Sequence, residues 1–133
     1  MDYKKLVDLE ESKTIAIDFD GVIHSHHLGF YDGTIYGNPI KGSLECIRKL
    51  SQKFNIIIFT AKAKPDRPLI NGKSGIELVW DWLKKYDIDN CIKEITSEKP
   101  RAICYIDDKA IKFENWNQAL IDLKNFTNEE FNS

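Results

Sequence analysis

The stretch Thr14–Gly21, TIAIDFDG, decides the fold. Thr14 to Ile17 have the β-branched and apolar character of a buried strand, yet the run ends in two carboxylates, Asp18 and Asp20. Residues i and i+2 of an extended chain face the same side, so both acids address one small space. Gly21 follows, where the backbone is free to turn away sharply.

The same grammar repeats outward from this stretch. NIIIFT, residues 55–60, is a second continuous apolar run, as expected of a parallel strand covered on both faces, and it ends in Thr60. CIKEIT, residues 91–96, reads as a short strand, and AICYID, residues 102–107, as another buried one ending in Asp107 with Asp108 next to it. Between them, Leu44, Ile47, Leu50 and Phe54 recur at helical spacing after Ser43, a candidate N-cap. Ile76, Val79, Leu83 and Tyr86 do the same after Ser74, and Phe113, Trp116, Leu120 and Leu123 form a last stripe. Asp32-Gly33 between aromatic and β-branched flanks is a hairpin signal. Strands alternating with helices predict an α/β fold with a mostly parallel central sheet, a Rossmann-like three-layer sandwich.

Open α/β sheets bind ligands beyond the carboxyl ends of their strands, so Asp18, Asp20, Thr60, Asp107 and Asp108 are expected at one edge. Four carboxylates in one pocket require either raised pKa values or a bound cation. An all-oxygen donor set favours a hard ion such as Mg²⁺, which also accepts phosphate oxygens, and no His/Cys set has zinc spacing. One of the paired aspartates can then attack phosphorus, and the other can move the proton.

Composition sets the outer limits. The chain has 133 residues, 42% apolar and 30% charged, with a net charge of −2. That suits one soluble domain over residues 1–133, with a polar N-terminal segment at 1–12 and a frayed tail at 127–133. Only Arg48, Arg67 and Arg101 among the nineteen cationic residues are arginine, and their scatter disfavours nucleic acid as a partner. Cys46 and Cys104 read as small core residues, which with the absence of a signal-peptide pattern and of a membrane-length apolar run makes a cytoplasmic location the expectation.

DFDGVIH (18–24), FTAK (59–62), the lysine of SEKP (97–100) and YIDDKA (105–110) resemble, in order, the four motifs of the haloacid dehalogenase superfamily of phosphohydrolases. The resemblance implies Asp18 as nucleophile and metal ligand, and Asp20 as general acid/base whose main-chain carbonyl also touches Mg²⁺. It implies that Thr60, with Ala61 beside it, binds the substrate phosphate, that Lys99 balances charge there, and that Asp107 and Asp108 hold the metal. No segment is long enough for the cap domain that many members carry, so the expectation is a capless member with the Asp32-Gly33 hairpin as a small flap. Such an open site admits bulky substrates unless a second subunit closes it.

Blander readings stand beside these. Thr60 would serve as a strand-end hydroxyl, Lys99 as a solvated lysine with Lys93 and Lys109 as competitors, and Arg67 as either a solvated loop residue or a grip on a distal anion. His24, His26 and His27 read as a surface loop, with one of them touching substrate as a secondary expectation. The functional expectation is an Mg²⁺-dependent phosphatase acting on a small phosphorylated substrate through an aspartyl-phosphate. The alternatives are a nucleotide or nucleic-acid-end phosphatase, or a non-catalytic phosphate-binding or signalling relative.

Overall fold

The computed structural model describes residues 2–128. Four strands, β1 (Thr14–Asp18), β2 (Asn55–Phe59), β3 (Glu94–Thr96) and β4 (Cys104–Ile106), form one sheet in the order β3-β2-β1-β4. All three pairings are parallel. Four α-helices accompany them, α1 (Tyr3–Ser12), α2 (Ser43–Ser51), α3 (Gly75–Lys85) and α4 (Trp116–Thr127), so the chain is α/β as its alternating pattern predicts. The expected frayed tail lies outside the described residues from position 129 on, and Thr127 closes α4.

The core follows from register. Ile15 pairs with Ile56 and Ile17 with Ile58, so their side chains share one sheet face. Val79, Trp82 and Leu83 of α3 and Ile47 of α2 cover that face, and Phe19, Ile23, Ile88 and Ile95 complete the cluster. α3 starts where its sequence says it should. Ser74 Oγ accepts from the Glu77 amide at 3.2 Å, and Glu77 returns the contact to the Ser74 amide at 3.1 Å, a reciprocal capping box. α2 differs, because its N-cap is Gly42 at φ +87° and Ser43 is already its first helical residue.

Several expectations change in three dimensions. The polar segment at 2–12 is largely helix, tied to the chain by Arg101–Glu11 at 2.8 Å and Lys93–Glu10 at 3.5 Å. Cys46 and Cys104 are exposed rather than core. β4 is exposed along its whole length, because it is an edge strand and α4 buries none of its residues. The stripe of Phe113, Trp116, Leu120 and Leu123 therefore faces outward.

The Asp32-Gly33 signal does not make a hairpin. Residues 27–34 run through turns and bends without a strand. A two-residue primed turn needs positive φ at its first central residue, here Asp32, but the positive values fall on Tyr31 and Gly33, which flank it. The Asp32 carboxylate instead accepts from the Thr34 amide at 3.0 Å, an Asx turn that competes with a ladder. The tight hairpin lies elsewhere. Asn71 and Gly72 both have positive φ, and Ile70 and Lys73 exchange hydrogen bonds of 2.9 and 3.0 Å around them.

Candidate active site

Parallel register brings the acids together. Ile17 pairs with Ile58 on one side and Ile106 on the other, so the next positions, Asp18 and Asp107, emerge side by side at the carboxyl edge. Oxygens of Asp18, Asp107 and Asp108 all lie within 4.8 Å of one another. A cleft of about 630 Å³ opens over them, with Asp18, Asp20, Ala61, His26, Asp108 and Lys109 among its walls. Asp18 Oδ1 accepts from the Phe19 amide at 2.8 Å, and Asp107 accepts from the Lys109 amide at 2.9 Å, so two of the three acids are oriented by backbone.

Gly21 explains the closeness. It sits at φ +84°, and a Cβ there would collide with Asp108 Oδ2. The turn after Asp20 therefore supplies both the conformation and the space that the Asp108 carboxylate occupies.

Charge state separates the two aspartates of the Asp18-Phe19-Asp20 stretch. Burial, assisted by the nearby charges of Asp107, Asp108 and Asp20, pushes the Asp18 carboxyl up to about 6 against the pull of the Phe19 amide. Burial would also raise Asp20, but the His24 hydrogen bond and the Lys62 ammonium outweigh it and hold Asp20 below its ordinary value.

His24 and Lys62 are the residues that sequence reading missed. His24 is fully buried, its ring stacked on Phe19 and edge-on to Trp82. Its Nε2 accepts from the Gly37 amide at 2.9 Å, which leaves the proton on Nδ1, and Nδ1 donates to Asp20 Oδ1 at 2.9 Å. Trp82 Nε1 donates to the Gly37 carbonyl at 3.0 Å, so the residue is held through both its N–H and its C=O. Gly37 has to be glycine, since a Cβ would collide with the Ser25 carbonyl. Lys62 is buried too, with Nζ 3.3 Å from Asp20 Oδ2. Its place in FTAK, three residues after a buried strand, was the available signal.

The expectation of a surface loop thus fails for His24, while His27 is exposed as expected. His26 lies between these extremes. Its Nδ1 stands 3.4 Å from Asp20 Oδ1, and burial together with Lys62 lowers its pKa against the pull of that carboxylate.

Ala61 lines the acidic cleft, and Thr60 precedes it directly after β2. Thr60 Oγ1 also caps the short 3₁₀ turn of residues 61–63, accepting from the Lys62 amide at 3.2 Å, so its bland role is real as well. Lys99 and Arg67 are directed elsewhere. The Lys99 ammonium rests 4.3 Å from the centre of the Tyr105 ring, and among the described residues it makes no ion pair with the acids. Arg67 lies over the Phe30 ring at 5.5 Å, lining a neighbouring cavity rather than the acidic cleft.

Among the described residues, two groups have the proximity to hold a cation. The all-carboxylate set of Asp18, Asp107 and Asp108 fits a hard divalent ion, because it offers only oxygen and its mutual repulsion is what such an ion relieves. The set of Asp20, His24 and His26 fits poorly. Both ring nitrogens of His24 are engaged, and Lys62 already supplies a positive charge at Asp20. Comparison with family models, with curated proteins and with solved structures finds no match for the chain.

Proposed function

We propose that this chain is an Mg²⁺-dependent phosphatase, a capless protein of haloacid dehalogenase type, that hydrolyses a phosphate monoester through a phosphorylated Asp18. The observation that carries this reading is the divergence of two neighbouring carboxylates. Asp18 belongs to a three-acid cluster, while Asp20, two residues on, is held by His24 and Lys62. Paired acids in different environments are the mark of divided nucleophile and acid/base roles.

Asp18 attacks phosphorus, forming a phosphorus–oxygen bond as the bond to the leaving oxygen breaks. With its pKa near 6, Asp18 is ionised at neutral pH and available as a nucleophile. Asp20 delivers a proton to the departing oxygen. As a carboxylate below its ordinary value it must first be driven up, and the phosphate charge arriving beside it does this. In the second half Asp20 takes a proton from water, the resulting hydroxide attacks phosphorus, and the bond to Asp18 breaks to release phosphate. The low resting pKa of Asp20 suits its return to the carboxylate form. Lys62 and the Thr60 hydroxyl are the nearby groups that balance and orient charge, a task the motif resemblance assigns to Thr60 and Lys99. A bound Mg²⁺ on Asp18, Asp107 and Asp108 would supply neutralisation of the acids and of the transferring phosphoryl group.

A panel of phosphate monoesters assayed with Mg²⁺, using Asp18→Asn as blank, tests the reading. Turnover by the native chain that vanishes in the variant and on chelation is the expected result. Equal turnover by Asp18→Asn would reject it.

A further inference from the structure

Next to the acidic cleft is a second cavity of about 270 Å³, enclosed between the turns of residues 28–37 and the loop of residues 64–75. Phe30, Pro68, Ile70 and Leu78 provide its apolar walls, and Arg67 and Lys62 its charges. The two loops meet closely on one side, where a Cβ on Gly33 would stand 2.9 Å from Ile70 Cδ1.

Lys62 connects the two spaces through its contact with Asp20, which lines the cleft. It lines this cavity, and its Nζ is 3.3 Å from Asp20 Oδ2. Asp20 Oδ1 is taken by His24, so Oδ2, beside the Lys62 ammonium, is the oxygen left to face a leaving group.

Resting on the phosphatase reading, we propose that this cavity receives the leaving group, and that the substrate class is an aryl phosphate monoester whose ring carries an anionic substituent. The volume admits one small ring system. Phe30 and the planar Arg67 guanidinium offer stacking faces, and the Arg67 charge complements a negative substituent. A nucleobase is a poorer occupant, since no lining side chain accepts a hydrogen bond and its amino groups would be buried unpaired.

The test uses the full chain with Mg²⁺ and four esters: para-carboxyphenyl phosphate, phenyl phosphate, glycerol phosphate and adenosine monophosphate. Intrinsic leaving-group reactivity is removed by comparing ratios between native chain and variants. Leu78→Trp, which fills the cavity, is expected to lower the aryl-to-glycerol ratio of kcat/KM by about tenfold or more. Arg67→Met is expected to erase the preference for the carboxylated ring over phenyl phosphate. Independently of turnover, para-carboxybenzylphosphonate is expected to shift the NMR signals of the Ile70 and Leu78 methyl groups. If no ester is hydrolysed but those methyls shift, the phosphatase reading fails and the binding cavity stands. Hydrolysis with unchanged ratios and unmoved methyls overturns the cavity, as does a higher kcat/KM for adenosine monophosphate that Leu78→Trp abolishes.

Discussion

His24 Nδ1 donates to Asp20 Oδ1 across 2.9 Å while its Nε2 accepts from the Gly37 amide at the same distance. One buried ring thereby links the orientation of the Asp20 carboxylate, the proposed acid/base, to a backbone amide thirteen residues away. His24→Phe keeps the ring between Phe19 and Trp82 but removes both hydrogen bonds. The orphaned Gly37 amide should cost about 1–3 kcal/mol in urea unfolding. Asp20 would lose its orienting donor, and kcat should fall about 100-fold with little change in KM. His24→Asn retains a side-chain amide donor and should recover part of kcat. Native kcat in the phenylalanine variant would show that the contact is only structural.

Two lysines compete for the role of balancing charge. Lys62 is buried against Asp20, whereas Lys99 is exposed on the Tyr105 ring. Lys62→Met should therefore cost about 100-fold in kcat, with Lys99→Met costing clearly less. Steady-state kinetics of both variants on one substrate decide this, and the reverse order would return the role to Lys99.

Gly21→Ala combines a backbone and a contact penalty. The left-handed φ of +84° disfavours a Cβ by about 1–2 kcal/mol, and the new methyl would displace the Asp108 carboxylate. Calorimetric titration should show Mg²⁺ affinity weakened by about tenfold or more. Undiminished affinity would take Asp108 out of the ligand set.

Asp18 gives the metal-free protein a pH signature. Its pKa rises from an ordinary 3.8 to about 6 in the fold, through burial first and then through Asp107, Asp108 and Asp20. A raised acid contributes stability that is fully present below the ordinary value and lost as pH rises through the folded one. Without metal, Tm should accordingly carry a downward component between pH 3.8 and about 6 that Asp18→Asn removes. Added Mg²⁺ should raise Tm more above pH 6 than below it, because protons compete for the same carboxylate under acidic conditions. A thermal-shift series with and without MgCl₂ reads both effects, and equal metal-induced gains on either side of pH 6 would contradict them.

Much of the scaffold was readable before any coordinates. Apolar runs ending in Asp18, Thr60 and Asp107 imply parallel strands whose carboxyl ends meet, since parallel pairing with short crossovers leaves little other register. Ser74 announced a helix start as a candidate N-cap, and the structure completes it into a capping box with Glu77, a contact satisfied within one turn of chain. Turn chemistry was less legible. Asp32-Gly33 and Asn71-Gly72 carry the same dipeptide signal, and only the second closes a two-residue hairpin, because the Asp32 carboxylate binds its own backbone instead.

By itself the sequence determined the α/β alternation, the parallel sheet and the gathering of acids at its carboxyl edge, all consequences of local periodicity and strand polarity. Only the tertiary structure decided which basic groups reach those acids. A lysine on a four-carbon stem goes where packing sends it, so Lys62 points inward to Asp20 while Lys99 lies on Tyr105. His24 is buried because Phe19, Gly37 and Trp82 converge on it from separate parts of the chain, and no local pattern encodes that meeting.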